Sequence, residues 1–282
     1  LKKFINFKPI CPETEIGMGI PRETIKIVKN KNGKILYQPD TDKDFSEKMN
    51  SFSGKFLKKI TNIDGFILKT DSPSCGVYST KIYPKKNNVP PVTRGAGFFA
   101  EKVLDKFPNH PIEEEKRLNN IFIREHFYTS IFTIADFRNV INFNTLYNYH
   151  AKHKYLFMSY NQLLMTKMGN IAANENNESI DSIINKYYKN LLILFSKKSS
   201  NASNINTHMH VMGYFKKLLS FKEKKHFLDI IELYRNKKIP VSSVNNILRS
   251  WILRFDNKYL TKQSFFQPFP EELIDKELSR FE

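Results

Sequence analysis

Hydrophobic and polar residues alternate on both sides of one turn signal early in the chain. Ile25 and Ile27 precede Asn32-Gly33, and Ile35 and Tyr37 follow it. Alternation with a period of two is typical of a strand with one buried face, and Asn-Gly is a common hairpin turn. The pattern predicts a β-hairpin.

The spacing changes further along the first third of the chain. Residues 44–60 carry apolar side chains at helical spacing, which predicts a helix, and the apolar run 63–68 predicts a buried strand. A loop containing Pro and Gly follows at 71–76, and Gly95-Ala96-Gly97 opens a second helical stretch through Leu104. Strands and helices within one segment indicate an α/β domain.

Beyond Pro111 the pattern is helical. Glu113-Glu114-Glu115 suits a helix N-terminus, and no proline occurs from 112 to 239. We therefore predict an α/β domain at 1–110 and an all-α domain at 111–282. The helices predicted for the second domain are 113–138, 143–168, 177–197, 203–220, 222–236 and 241–255.

The composition excludes several classes of protein. Of the 282 residues 40% are hydrophobic and 13% aromatic, which is too apolar for a disordered chain. No stretch approaches 18 uncharged apolar residues, so we expect no membrane-spanning helix and no membrane partner. Two cysteines are too few for a disulfide framework, and no secretory leader is recognisable, so we expect a cytoplasmic protein.

The charge balance points to a phosphate-bearing partner. There are 45 Lys and Arg against 28 Asp and Glu, which leaves a net charge of +17. A surplus of this size is expected of a nucleic-acid-binding protein. The alternative is a basic, solvated surface, because Lys, Asn and Ile are together abundant, as AT-rich coding produces in any protein.

Both cysteines lie in loops shaped by proline and glycine. Cys11 is flanked by Pro9 and Pro12, and Cys75 lies in Ser-Pro-Ser-Cys-Gly at 72–76. Such loops can aim backbone N–H groups at an anion or a cluster sulfur, and Glu13 is a possible proton carrier. The simpler interpretation is that two cysteines so far apart in the sequence are inert.

A resemblance to a known family begins at these loops. The first half resembles the iron-sulfur domain of the thiouracil desulfurase (TudS-like) family over residues 1–107. The segments that carry the resemblance are Cys11-Pro12-Glu13 with 16–22, Gly65–Lys69 running into 72–76, and Gly95-Ala96-Gly97.

The second half resembles the YbgA-like helical domain that often follows a desulfurase domain. The segments that carry this resemblance are 111–118, 150–155, His208 with 213–216, and Pro268-Phe269-Pro270. Together the two halves look like the tRNA thiouridine desulfidases (RudS-like proteins), which remove sulfur from 4-thiouridine. The resemblance implies a Rossmann-like α/β domain followed by an all-α domain.

The resemblance also implies a cofactor and a reaction. The family holds a 4Fe-4S cluster with three cysteines, and Cys11 and Cys75 match the second and third of them. The first is expected upstream of Leu1, so this chain as given is expected to lack part of the cluster site. The implied reaction is a hydrolysis without net redox change, in which the cluster's open iron binds the thiocarbonyl sulfur.

Three residues are the candidates for catalysis by this resemblance. Glu13 is expected to act as general acid and base, and the alternative is that it only caps a helix or pairs with Arg22. Ser72 and Ser74 are expected to hydrogen-bond the substrate or the cluster sulfurs, and the alternative is that they stabilise a turn. Lys69 and Arg22 could hold phosphate or sulfur, although charged residues at strand ends usually face water.

The second half carries a candidate RNA surface. It combines basic and aromatic side chains that suit an RNA backbone with unstacked bases. Its residues are Lys152, His153, Lys154, Tyr155, Tyr214, Lys216 and Lys217. The alternative is that Tyr155 and Phe215 belong to the core and the lysines only face solvent. Metal binding by His150 with His153, or by His208 with His210, is not favoured, because no nearby cysteine or carboxylate completes either pair.

Three functions follow, of which the first is preferred. The first is iron-sulfur-dependent desulfuration of a thionated base in tRNA, with chemistry in the first domain and tRNA binding in the second. The second is desulfuration of free thiouracil, which needs no RNA-binding domain. The third is nucleic-acid binding without catalysis, which the missing third cysteine keeps open.

Overall fold

The computed structural model describes residues 1–30, 33–85 and 90–274. The described residues divide into two compact units, with the division between residues 127 and 128. The domain boundary near residue 111 stays a prediction. Among the described residues, no helix combines the length and apolarity needed to cross a membrane.

The first unit contains all the strands that the described residues form. These are β1 (Lys26–Asn30), β2 (Gly33–Gln38), β3 (Lys43–Asp44), β4 (Phe66–Leu68), β5 (Thr80–Tyr83), β6 (Thr93–Gly95) and β7 (Ile112–Glu114). The helices before residue 120 are α1 (Pro12–Glu15), α2 (Ser46–Lys59) and α3 (Phe98–Lys106). This combination confirms the α/β class of the first half.

Five of these strands form a mixed sheet in the order β3-β2-β1-β5-β6. The predicted hairpin strands are confirmed, because β1 and β2 pair antiparallel with Ile27 opposite Leu36. Asn32 of the predicted turn lies outside the described residues. Ile27 also pairs with Ile82 in the parallel contact of β1 with β5, and β5 pairs antiparallel with β6. A sheet with mixed strand directions does not confirm the Rossmann-like topology.

The other two strands, β4 and β7, form a separate parallel pair in which Phe66 lies opposite Ile112. The pairing corrects two predictions. The strand predicted at 63–68 begins at Phe66, and the helix predicted from 113 is wrong over its first residues, because 112–114 form β7. A glutamate run favours a helix N-terminus locally, but pairing with β4 satisfies its backbone groups instead.

The second unit is helical, which confirms the all-α class of the second half. Its helices are α4 (Ile121–Asp136), α5 (Phe143–Tyr160), α6 (Gln162–Ala173), α7 (Ile180–Phe195), α8 (Asn201–Gly213), α9 (Phe221–Arg235), α10 (Val241–Arg254) and α11 (Lys258–Thr261). The division between the units falls within α4. Their apolar faces share one core, which includes Leu146, Tyr187 and Phe227, all fully buried.

One predicted helix, 143–168, is two helices in the structure. Asn161 leaves the helical conformation, with φ of −161° and ψ of 110°, and its side chain accepts a hydrogen bond from the backbone N–H of Leu164. Asparagine competes for backbone hydrogen bonds in this way, so it ends α5 and caps α6. The apolar spacing continues across the break, which is why periodicity alone missed it.

The loop that carries Cys75 caps the N-terminus of α3. The N–H groups of Gly97 and Phe98 donate to the carbonyls of Gly76 and Pro73, at 2.8 and 3.1 Å. Those of the next two residues, 99 and 100, both donate to the Ser74 carbonyl, at 2.9 and 3.1 Å. The first N–H groups of a helix have no partner within it, so the loop satisfies all four.

We predict that Gly97→Ala destabilises the protein. A Cβ at this position would lie 2.6 Å from the carbonyl oxygens of Pro73 and Ser74, so the loop must move. The expected cost is about 1–3 kcal/mol, as for overpacking, and urea-induced unfolding measures it.

Gly54→Ala is the matched control for this substitution. Gly54 lies within α2, and a Cβ at this position would meet nothing within 4 Å. The variant is expected to gain about 0.5–1 kcal/mol from helix propensity. If both variants lost stability equally, the close approach at Gly97 would not be the cause.

Candidate functional site

Cys11 and Glu13 lie at the start of helix α1, and the chain after the helix folds back over them. Gly17 and Gly19 have φ of 84° and 74°, values that favour glycine, and they allow this tight return. The return brings Arg22 to both residues. Its Nε donates to Glu13 Oε2 at 2.7 Å, and its Nη2 lies 3.6 Å from Cys11 Sγ.

Ser72 joins this segment to the Cys75 loop. Its Oγ donates to Glu13 Oε1 at 3.3 Å and accepts the backbone N–H groups of Ser74 and Cys75, at 3.2 and 3.1 Å. The structure therefore brings Cys11, Glu13 and Cys75 into one site, although the two cysteine loops are far apart in the sequence. These contacts are the ones expected under the alternative interpretations, since Glu13 pairs with Arg22 and Ser72 stabilises its own turn. The catalytic roles of both residues stay predictions.

The two thiols have opposite electrostatic environments. Burial tends to raise the pKa of Cys11, but hydrogen bonds with Thr14 and the charge of Arg22 outweigh it, so the pKa is lowered. Burial raises the pKa of Cys75 to about 12, and the Glu13 charge adds to that effect. Cys11 is therefore the thiol more easily converted to a thiolate.

Two other predicted residues occupy different positions. Ser74 is fully buried, and its hydroxyl has no hydrogen-bond partner in the described part of the chain. The structure thus brings Ser72 but not Ser74 to Glu13, and a catalytic role for Ser74 stays a prediction. Lys69 is exposed, and its charge has a small lowering effect on the pKa of Cys75.

Glu114 is the important site residue that the sequence did not reveal. Its Oε1 accepts the backbone N–H groups of Val77, Tyr78 and Ser79 at 2.7, 2.9 and 3.1 Å, and the Ser79 hydroxyl at 2.7 Å. The side chain is buried, on β7, and it holds the backbone that follows the Cys75 loop. In the sequence, Glu114 belongs to a glutamate run that predicts the start of a helix. Its position against the Cys75 loop follows only from the pairing of β7 with β4.

The two thiols do not complete an iron-sulfur site. Thiolate is the ligand type that such clusters use, so Cys11 and Cys75 have suitable chemistry. Within residues 1–30, 33–85 and 90–274, however, no three His, Cys, Asp or Glu side chains come together as a metal site. The described residues therefore supply two of the three cysteine ligands that the resemblance implies.

In the helical unit, His153 is not part of a surface, which corrects the prediction that it contacts RNA. Its side chain is 3% exposed and lies between two partners, with Nδ1 2.6 Å from Ser264 Oγ and Nε2 2.9 Å from Asp136 Oδ2. Lys152 donates to the same Asp136 oxygen at 2.8 Å. Ser264 is itself buried, so this hydroxyl–imidazole–carboxylate series joins parts of the core and exposes no nucleophile.

The remaining residues of the predicted RNA surface divide between core and solvent. Tyr155 and Phe215 are buried, at 4% and 1% exposure, which confirms the alternative that they belong to the core. Tyr214 is 45% exposed. Lys216 and Lys217 are exposed, and Lys154 is half-buried.

Of the other three histidine candidates, His208 is buried, His150 is half-buried and His210 is exposed. His150 Nδ1 lies 2.8 Å from the Tyr187 hydroxyl, and His208 Nε2 lies 2.8 Å from Asn245 Oδ1. Burial lowers the pKa of each to about 4, so both are neutral at pH 7. Neither belongs to a metal-ligating group in the part of the chain that the structure describes.

Comparison with known families assigns the two halves separately. Residues 1–115 match the family model for 2-thiouracil desulfurase, and residues 154–270 match that for a protein of unknown function (DUF1722). The order of the two matches confirms the resemblance to a desulfurase domain followed by a YbgA-like helical domain. The first half is therefore similar to a desulfurase.

Two curated proteins are similar to parts of the chain. The uncharacterized protein YbgA of Escherichia coli (strain K12) is 24% identical over 126 residues, which cover 44% of this chain and 75% of that protein. The pesticidal crystal-like protein Cry16Aa of Paraclostridium bifermentans is 25% identical over 205 residues, 64% of this chain but 33% of that protein. A match over a third of a longer protein assigns no activity to this chain. No solved structure matches it.

We predict that Glu114→Gln loosens the backbone after Cys75. Burial tends to raise the pKa of Glu114, but its hydrogen bonds outweigh this and lower the pKa, so the charged form stabilises the fold. The neutral amide should cost about 1–3 kcal/mol at pH 7 in urea-induced unfolding.

The stability difference should depend on pH. A lowered pKa in the folded state stabilises the protein above the ordinary value of 4.5, and this contribution is lost as the pH falls below it. The wild type and Glu114→Gln should therefore converge at low pH. Glu175→Gln, at an exposed position in the second unit, should stay within about 0.5 kcal/mol of the wild type. A constant difference at every pH would contradict the role of the charge.

Proposed function

We propose that the first unit hydrolytically removes sulfur from a thionated uracil base, and that this base is 4-thiouridine in tRNA. The observation that carries the proposal is the convergence of Cys11, Glu13, Ser72 and Cys75 in one site within the region that matches the desulfurase family. A carboxylate beside two thiols combines a proton carrier with soft sulfur ligands, which is the chemistry that a thiocarbonyl substrate needs.

Glu13 is the proposed proton carrier. Hydrolysis converts the C=S bond to C=O with one water and releases hydrogen sulfide, so no net electrons are needed. One group must take a proton from the attacking water and return a proton to the leaving sulfide. Arg22 holds Glu13 Oε2 and Ser72 holds Oε1, so the carboxylate is fixed in orientation before substrate binds.

Cys11 and Cys75 are proposed as two of the three ligands of a 4Fe-4S cluster. Sulfur ligands support this assignment, and the third ligand must come from outside the described residues. Cys75 lies in the loop that caps α3, and Cys11 contacts Thr14 and Arg22.

The second unit is the proposed tRNA-binding part. Support comes from the exposed Lys216 and Lys217 in this unit and from the net charge of +17 of the whole chain. Lys152 contributes less than expected, because Asp136 neutralises it. His153 is excluded by its burial.

Glu13→Gln should test the catalytic role in the full-length protein, purified without oxygen. The amide keeps the shape, and its oxygen can still accept a hydrogen bond from Arg22 or Ser72, but it cannot carry the proton. We expect sulfide release from 4-thiouridine to fall by roughly 10²- to 10⁴-fold, with unchanged iron content.

Glu15→Gln is the control for this variant, because Glu15 lies in the same helix and is exposed. It should keep the wild-type rate. A near-normal rate for Glu13→Gln would mean that Glu13 carries no proton in the reaction and serves only as the ion-pair partner of Arg22. If the wild-type protein released no sulfide from any thionated base, desulfuration itself would be refuted and nucleic-acid binding without catalysis would remain.

A second comparison tests the proposed tRNA substrate. Replacing Lys216 and Lys217 by Ala should weaken desulfuration of thionated tRNA and flatten its salt dependence, because each phosphate contact releases counterions. Desulfuration of the free nucleoside should not change, because it does not use remote binding energy. Lys197 and Lys198, also adjacent and exposed, provide the matched control pair. Equal losses on both substrates would favour desulfuration of a free base.

A further inference from the structure

Three tyrosines from three different helical segments meet in the second unit. Tyr155 lies in α5, Tyr214 directly follows α8, and Tyr259 lies in α11. The Tyr155 hydroxyl donates to the Tyr214 hydroxyl at 2.9 Å. The Tyr155 ring stands edge-on to both others, with centroids 6.2 Å from Tyr214 and 6.4 Å from Tyr259.

The two outer rings form one aromatic surface, which we name the tyrosine platform. The rings of Tyr214 and Tyr259 are stacked, 6.0 Å apart with an angle of 22° between their planes. Tyr214 is 45% and Tyr259 38% exposed, whereas Tyr155 is 4% exposed. Tyr155 therefore supports the platform from within the core, and the other two rings remain accessible.

The platform is surrounded in the sequence by positive charge. Lys216 and Lys217 follow Tyr214, and Lys258 and Lys262 flank Tyr259; all four are exposed. Residues 214–220 and 257–263 contain no Asp or Glu. None of the four lysines forms an ion pair with a carboxylate in the described part of the chain. They remain available to neutralise an external anion, in contrast to Lys152.

We propose that the tyrosine platform binds an unpaired base of RNA, with the flanking lysines on the adjacent phosphates. Exposed aromatic faces beside unpaired lysines are the combination that recognises single-stranded nucleic acid, because every base has a face that stacks and every phosphate a charge. The inference rests on the RNA binding in the proposed function and names its recognition element. Tyr259, Lys258 and Lys262 had no assigned role.

The geometry of the platform favours binding of single-stranded RNA. The bases of a duplex are already stacked on one another and cannot offer a face to the platform. A base inserted between Tyr214 and Tyr259 would need about twice the 3.4 Å stacking distance, more than the 6.0 Å between their centroids. The base therefore stacks on an outer face of the pair, and a loop or a strand end fits.

The test compares tyrosine variants of the chain on two RNA probes. The probes are a fluorescent oligouridine of about 12 nucleotides, within the usual site size, and a duplex of the same length. Fluorescence anisotropy measures both affinities. Tyr259→Ala and Tyr214→Ala should each weaken oligouridine binding by roughly 5- to 100-fold, the usual effect of losing one stacked base. Duplex binding should change by less than about twofold.

Conservative and matched variants separate stacking from other effects. Tyr259→Phe keeps the ring and should keep oligouridine affinity. Tyr147→Ala removes a tyrosine of the same exposure, 46%, away from the platform, and should have no effect. The slope of affinity against salt should be the same in Tyr259→Ala as in the wild type, because no phosphate contact is lost. Lys258→Ala should reduce that slope.

Several results would overturn the inference. Equal losses on single strand and duplex would mean that the tyrosines only support the fold, as would a loss in Tyr259→Phe equal to that in Tyr259→Ala. If both alanine variants bound oligouridine like the wild type, or if the wild type bound no RNA, the platform would not be an RNA site. A protein would then be the partner to test. Sulfide release from free 4-thiouridine tests the first unit separately, so failure of the platform and failure of desulfuration are distinguishable.

Discussion

The hydrogen bonds between the Cys75 loop and the start of α3 are the contact on which the candidate site depends. Four N–H groups at the helix start need acceptors, and the carbonyls of residues 73, 74 and 76 supply them. Gly97 allows this contact because any larger residue would touch the loop backbone. The loop is thereby held against the helix, and Ser72 within it is placed to reach Glu13 on the other cysteine segment.

Glu114 and Glu13, two carboxylates of the first unit, differ in the number of hydrogen bonds that they accept. Glu114 is buried and accepts four hydrogen bonds, so its charge is used to hold the backbone. Glu13 is held by only two donors, Arg22 and Ser72, and lies beside both thiols. The fold therefore uses the Glu114 oxygen fully as a hydrogen-bond acceptor and uses Glu13 less.

In the helical unit, the histidines and the platform tyrosines differ in how far they are buried. His153 and His208 are buried and His150 is half-buried, and each has a hydrogen-bond partner, so they stabilise the core in a defined arrangement. Tyr214 and Tyr259 are 45% and 38% exposed, whereas the Tyr155 ring that packs against both is buried. This contrast locates the proposed RNA contact on the tyrosines and unpaired lysines, and not on the histidines.

The sequence by itself determined the α/β and all-α halves, the hairpin strands, most of the helices and the two cysteine loops, because periodicity and turn residues act over a few positions. Only the tertiary structure decided that Glu113 and Glu114 form a strand, that His153 is buried and that Tyr259 joins Tyr214. Each of these depends on partners distant in the chain: β4 for β7, Ser264 for His153, and α8 for α11. Local patterns do not record such contacts, since the free energy that favours them comes from packing and hydrogen bonding between segments.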